Sequence, residues 1–429
     1  MGFCRVIKKI TGTVTKQLGS TAFKVCHRMN RRDFTRNRKL SFPEVCTIII
    51  RNAKSGYNAA IAEALNNIDP DMTYSAAALC KARQKINYTA FRELMELTGE
   101  AFYDSVGRIQ TKLGFRVWAI DGSKINLPTN SATLEEFGSE PFSNGAVAQA
   151  LGSCLFDTLN GVTFTAELER FDANERELAV RHIRKLKQYH DEQKSKIKKE
   201  LIVADRGYPS EELISEIISA GFYFVIRVNK DNFWKEVRDA QDDECVIEHK
   251  GMSLRMVRRL LKKAETTAGG KREEKITFLT NLPAKYTGDA VAEFYKLRWK
   301  IETNYNYLKN RIELESFTGV SPLCIKQDFY AALMLTNLIA AVQNDVNKTV
   351  TKKEARKYEY KLNYAETFRR LSENLYAMLL AKNDYQYNKA YQRLRDRLVN
   401  AVVPVRPERN VKRGKPRQGK RFFHNHKTS

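Results

Sequence analysis

Cysteine is scarce and unpatterned. The seven residues, Cys4, Cys26, Cys46, Cys80, Cys154, Cys245 and Cys324, are odd in number and include no C-x-x-C pair, which argues against a disulfide framework and against a cysteine zinc site. Long hydrophobic runs are missing too. The longest, Phe329 to Val342, is about 14 residues and contains Thr336 and Asn337, short of the ~20 needed to cross a bilayer, so it reads as a buried core helix. The N-terminus has no apolar signal segment, and Val6 stands where a myristoylation signal after Met1-Gly2 wants Ser or Thr, so a cytoplasmic protein without a membrane partner is expected. Neither G-x-x-x-x-G-K-[ST] nor G-x-G-x-x-G occurs, which speaks against an ATP-driven or dinucleotide enzyme. Negative charge is the largest deficit: 50 Asp+Glu face 74 Lys+Arg, a formal net charge of +24. A polyanion, nucleic acid foremost, is the favoured partner.

What is present is a chain of 429 residues with 42% apolar content, enough for roughly three domains with real cores. Residues 1–40 carry eleven Lys/Arg against the single acid Asp33 and read either as a solvated basic arm or as a phosphate-contacting one. Ser75 can cap a helix through Ile86, and a second runs from Ala90 to Tyr103 with Phe91, Leu94, Leu97 and Phe102 on its apolar face. Such a pair suits a helix-turn-helix, in which Lys81, Arg83 and Lys85 would touch DNA, although plain helical hairpins are commoner.

After Lys112 the pattern changes to strands. Phe115–Ile120 ends at Asp121-Gly122-Ser123; Ala146–Phe156 and Val162–Leu168 meet at the hairpin turn Asn160-Gly161. A helix over Asn174–Lys199, the strand Leu201–Ala204 ending at Asp205-Arg206-Gly207-Tyr208, a helix from Pro209 to Ala220 and the strand Phe222–Val228 follow. Short strands at 245–248, 253–257 and 276–279 suggest a β-rich insertion. One periodic helix is expected over Asp289–Arg311, with further helices to about residue 400. The tail from Arg406, with nine Lys/Arg against Glu408, has the composition of a disordered extension.

Asp121 and Asp205 each follow an apolar strand. Singly, such an acid is more often a turn former than a catalyst. On one continuous helix, Tyr295, Arg298, Glu302 and Lys309 would share an arc of about 60° beside an apolar stripe. An Arg298–Glu302 pair at i,i+4 could be an ordinary surface pair worth about 0.2–0.5 kcal/mol. Three carboxylates on three elements, without His or Cys, instead suggest a hard oxygen site for Mg²⁺ or Mn²⁺, two such ions serving phosphoryl transfer. Trp234 and Trp299 are candidates to stack on an unpaired base, against the commoner role of a packing residue.

The motif Tyr295-x2-Arg298-x3-Glu302-x6-Lys309, with Ile-Asp121-Gly-Ser and Ala-Asp205-Arg-Gly-Tyr before it, resembles the DDE transposases of bacterial insertion sequences. The resemblance implies an α/β fold: a ribonuclease H-like mixed-sheet core at 111–228 and 286–320, interrupted by a β-rich insertion at 229–285. Helical regions at 1–110 (basic, DNA-binding) and 321–403 would flank the core, with a basic tail at 404–429. It implies metal-dependent cut-and-paste transposition, with Asp121, Asp205 and Glu302 holding two Mg²⁺ (Mn²⁺ as substitute). Tyr295, Arg298 and Lys309 would grip terminal DNA. Partners would be the terminal inverted repeats, target DNA and a second copy in a synaptic dimer; some relatives pass through a DNA hairpin. A non-catalytic DNA-binding descendant of a transposase, or a nuclease that cuts without joining, is the rival.

Overall fold

The computed structural model describes residues 5–36, 40–51, 75–142, 145–192, 199–229, 233–262, 273–310, 312–350 and 358–406. The N-terminal region is helical: α1 Arg5–Gly19, α2 Thr21–His27, α3 Phe42–Arg51, α4 Ala76–Arg83 and α5 Thr89–Ser105. The core alternates β1 Arg116–Asn126, α6 Ser131–Phe137, β2 Ser139–Phe142, β3 Gly145–Asp157, β4 Val162–Arg170, α7 Glu175–Glu192, β5 Glu200–Ala204, α8 Glu211–Ser219 and β6 Tyr223–Val228. Then come α9 Lys235–Asp239, β7 Glu244–His249, β8 Met252–Lys262, β9 Glu273–Thr280, α10 Gly288–Lys296 and α11 Trp299–Asn310. The chain closes with α12 Pro322–Val350, β10 Glu359–Leu362, α13 Tyr364–Leu379, α14 Asp384–Leu398 and β11 Val402–Val405.

The sheet runs β2-β3-β1-β5-β6-β9-β8-β7, with β4 on the other part of β3. β1, β3 and β4 are antiparallel neighbours, whereas β1, β5 and β6 are parallel. This is the mixed sheet of a ribonuclease H-like core. The β3–β4 hairpin turns where expected: Gly161 has φ +74, and Asp157 Oδ1 accepts the backbone N–H groups of Leu159 and Asn160 at 2.9 and 3.0 Å. Val117, Ala119, Ile202 and Val203 are fully buried, as a central strand pair covered on both faces requires.

The β-rich segment extends the same sheet: β9 pairs with β6 from Val225↔Thr280 to Val228↔Thr277 and carries β8 and β7 outward. Three expectations need correction. The single helix over 289–311 is two, α10 and α11, parted at Leu297-Arg298. Across the break the bonds shorten to i→i−3, with Arg298 N–H donating to Tyr295 C=O at 2.9 Å and Ile301 N–H to Arg298 C=O at 3.0 Å, the tighter 3₁₀ pattern. β1 does not stop before Asp121 but runs through it to Asn126.

The third is the reading of residues 1–40 as a solvated arm, because the helices α1 and α2 within it are packed. Ile7, Ile10, Val14 and Leu18 of α1 are buried at helical spacing, and Ile7 N–H and the Thr11 hydroxyl bond Asp345 (3.2 Å) and Tyr387 (2.7 Å). The core of the C-terminal half is α12: Phe329 to Val342 is buried throughout, as its apolar run predicts. Helix α5 is wedged between α12 and β4, where Asn337 bridges Met95 C=O (3.3 Å) and both backbone groups of Thr163 (2.8 Å each). A recognition helix needs a free face, and the sides of α5 carrying Phe91, Leu94, Met95 and Phe102 are fully buried. The tail from 407, with His424 and His426, lies outside the described residues.

Candidate functional site

The register of the parallel pair builds the site. Ala119 faces Val203 across β1 and β5, so Asp121 and Asp205, each two residues further, reach the same level on adjacent strands with side chains on one face. β5 ends at Ala204, and the Arg206 N–H supports the Asp205 carboxylate. Glu302 comes from above the sheet. Because the helix breaks at 297–298, Glu302 lies in the first turn of α11, where the positive end of the helix dipole favours a carboxylate. The Tyr305 hydroxyl, 3.0 Å from both Asp121 C=O and Gly152 C=O, fastens α11 to β1 and β3.

All three carboxylates surround the Arg298 guanidinium. Nη2 lies 2.6 Å from Glu302 Oε1 and 3.9 Å from Asp205 Oδ2, and Nη1 lies 3.8 Å from Asp121 Oδ2. Its side chain is 6% exposed, while those of Asp121, Asp205 and Glu302 are 21%, 33% and 35% exposed. Tyr295 donates to Asp205 Oδ1 at 2.8 Å. The two aspartates are electrostatically unlike. Burial, reinforced by Glu302 and Glu175, pushes Asp121 up to about 6 against the pull of Arg298 and the Gly122 N–H. Burial acts the same way on Asp205, but the Arg206 N–H, the Tyr295 hydroxyl and Arg298 outweigh it and hold that carboxyl below its usual value.

The donor set is hard oxygen only, which suits a divalent oxophilic cation. The place where three carboxylates converge already holds positive charge. Among the described residues no three acidic, His or Cys side chains are gathered closely enough to ligate one ion; the guanidinium fills their common space. The residues therefore fit a divalent ion in chemistry and direction, with Arg298 displaced.

Residues 112–338, just over half of the chain, match the family described as Transposase DDE domain. The chain belongs to this family. DDE transposases use divalent metals, and this chain is a DNA transposase. No curated protein matches. A solved piggyBac transposase, titled a synaptic complex with hairpin DNA, is similar at 10% identity with a TM-score of 0.48, over 94% of this chain and 84% of that one. No helix among the described residues is long and apolar enough to cross a membrane.

The remaining sequence candidates divide. Lys309 sits on α11 on the same side as Glu302, its Nζ donating to Lys124 C=O and lying 3.4 Å from Glu315. Trp299 is 51% exposed with the Arg298 guanidinium 5.6 Å from its ring. Trp234 is a packing residue in this structure: its ring stacks on His249 at 3.7 Å and 9°, and on Phe233 at 4.6 Å. Arg83 is corrected outright as a DNA contact. It is 1% exposed and donates to Gln327, Thr318, Cys324 C=O and Asp328, because Leu79 and Arg83 share the inward face of α4. Lys85 remains 43% exposed, 3.8 Å from Asp33. Sequence reasoning missed Glu175, whose Oε1 would come within 3.0 Å of a Cβ on Gly122. It also missed Tyr305, whose only signal was its place one turn after Glu302.

Proposed function

We propose that this transposase works by cut and paste, cleaving DNA at the ends of its element and joining them to target DNA, with Asp121, Asp205 and Glu302 as the catalytic acids. The observation that carries this is their convergence, from β1, the end of β5 and the start of α11, on one buried cation. These acids would hold two Mg²⁺, replaceable by Mn²⁺, and the ions would supply neutralisation of charge on the phosphoryl group and activation of the attacking oxygen.

The chain's own groups do the rest. Tyr295 fixes the rotamer of Asp205 through its 2.8 Å hydrogen bond. Arg298 offers a planar fork to a phosphate, and Lys309 a point charge about two turns beyond Glu302 on the same side of α11. Water attacks phosphorus and the 3′-oxygen leaves; the freed 3′-hydroxyl then attacks a second phosphodiester, so one P–O bond forms and one breaks at each step. Double-stranded terminal repeats and target DNA are the substrates, with two copies pairing two ends.

The test is strand cleavage of an element end in Mg²⁺. Wild type should nick and join, while Asp205→Asn keeps DNA binding and loses cleavage by roughly 10³-fold or more. Binding without cutting in both proteins identifies a non-catalytic descendant, and cutting without joining identifies a nuclease.

A further inference from the structure

Arg298 cannot hold three carboxylates and a DNA phosphate at once. We infer that its guanidinium is a stand-in cation: it keeps the acids together before substrate arrives and leaves for a DNA phosphate, so that DNA and divalent metal load cooperatively. This rests on the acid-triad reading above.

Three observations support an arginine placed to move. Only the Glu302 contact, at 2.6 Å, is a hydrogen bond; those to Asp121 and Asp205, at 3.8 and 3.9 Å, are ion-pair distances without one. Its Nε is buried with no hydrogen-bond partner, so the guanidinium is incompletely satisfied where it sits. Third, the residue lies in the turn between α10 and α11 rather than within a helix, and aromatic faces flank it: Tyr295 and Trp299 each lie 5.6 Å from the guanidinium. Trp299 is the solvent-facing one, 51% exposed, and it marks a route out of the cleft along which the cation stays against a ring.

The energetic logic is competition. A divalent ion and the guanidinium claim the same oxygens, so metal alone has to displace Arg298. A phosphate gives the guanidinium a bidentate partner elsewhere and frees the acids. Coupling of this kind is reciprocal: whatever factor DNA adds to metal affinity, metal adds to DNA affinity. Arg298 is thus a positioning residue for the ions as well as a phosphate contact.

The test uses the full chain and Mn²⁺, with free ion counted by electron paramagnetic resonance, with and without a DNA duplex. Wild type should bind Mn²⁺ weakly alone and about tenfold more tightly with duplex. Arg298→Ala should bind Mn²⁺ about tenfold more tightly than wild type alone and gain little from duplex; Arg298→Lys should fall between. Equal or weaker Mn²⁺ binding by both folded variants, or a duplex effect that survives in Arg298→Ala, overturns the inference. The double variant Arg298→Ala/Glu302→Gln separates the two readings. It should lose the added affinity; if it binds Mn²⁺ as well as Arg298→Ala does, the acid triad itself is misassigned.

Discussion

Two of the buried arginines, Arg83 and Arg298, are held in opposite ways. Arg83, at the junction of α4 with α12, is 1% exposed and meets the carboxylate of Asp328 at 2.7 Å, with Thr318, Gln327 and Cys324 C=O also accepting from it. Arg298, in the cleft, meets three carboxylates and hydrogen-bonds only one of them. At the first site charge and hydrogen bonds are matched, so the cluster is a joint. At the second, acids outnumber the cation and solvent reaches them, which leaves negative charge in excess. Balance, more than burial, separates structural charge from charge set aside for a ligand.

The comparison can be broken by mutation. Arg83→Ala should cost about 3–5 kcal/mol in urea unfolding, because it strands Asp328 in the core; a loss under about 1 kcal/mol would show that the joint is not structural. The next largest effect concerns Asp121 in metal-free protein. Its folded-state value of about 6 lies above the ordinary 3.8, so folding takes up a proton. The contribution to stability is complete below about pH 4 and lost as pH rises through about 6. Asp121→Asn should flatten stability across that window, as should saturating Mg²⁺; an unchanged slope in the variant would refute the assignment. Arg298→Ala should cost less than Arg83→Ala, about 1 kcal/mol, and Mg²⁺ should restore it, whereas no divalent ion should rescue Arg83→Ala. Smallest of all, Lys85→Ala should reduce the salt dependence of DNA binding by at most about one phosphate contact; no change in slope would leave Lys85 as a plain surface residue.

Much of the core was legible because its signals are local. The run Phe115–Ile120, the Asn160-Gly161 turn and the strand before Asp205 each carry their own periodicity and punctuation, and each forms where it was expected, although β1 runs on to Asn126. That Asp121, Asp205 and Glu302 would come near one another could be expected from strand ends and motif spacing, and the structure gathers them around Arg298. What could not be read depended on partners far along the chain. Arg83 looks like any basic residue on a helix until Asp328, 245 residues later, takes it inward. The break at Leu297-Arg298 has no Gly or Pro to announce it; it arises where α10 and α11 pack separately on the sheet. The first forty residues were read by charge, yet the stripe Ile7, Ile10, Val14 and Leu18 was there to be counted. Pairing of β9 with β6 was invisible because strand periodicity does not name a neighbour.

The first helix of the chain is fastened to the last ones. Ile7 reaches Asp345, Thr11 reaches Tyr387, and the Thr15 hydroxyl donates to Leu379 C=O at 2.9 Å. The opening segment can lean early on α5, where Gln17 donates to Glu93 at 2.7 Å, but a ribosome has to finish nearly the whole polypeptide before the two ends can be joined. A message cut short anywhere before those late helices would yield a fragment that never closes.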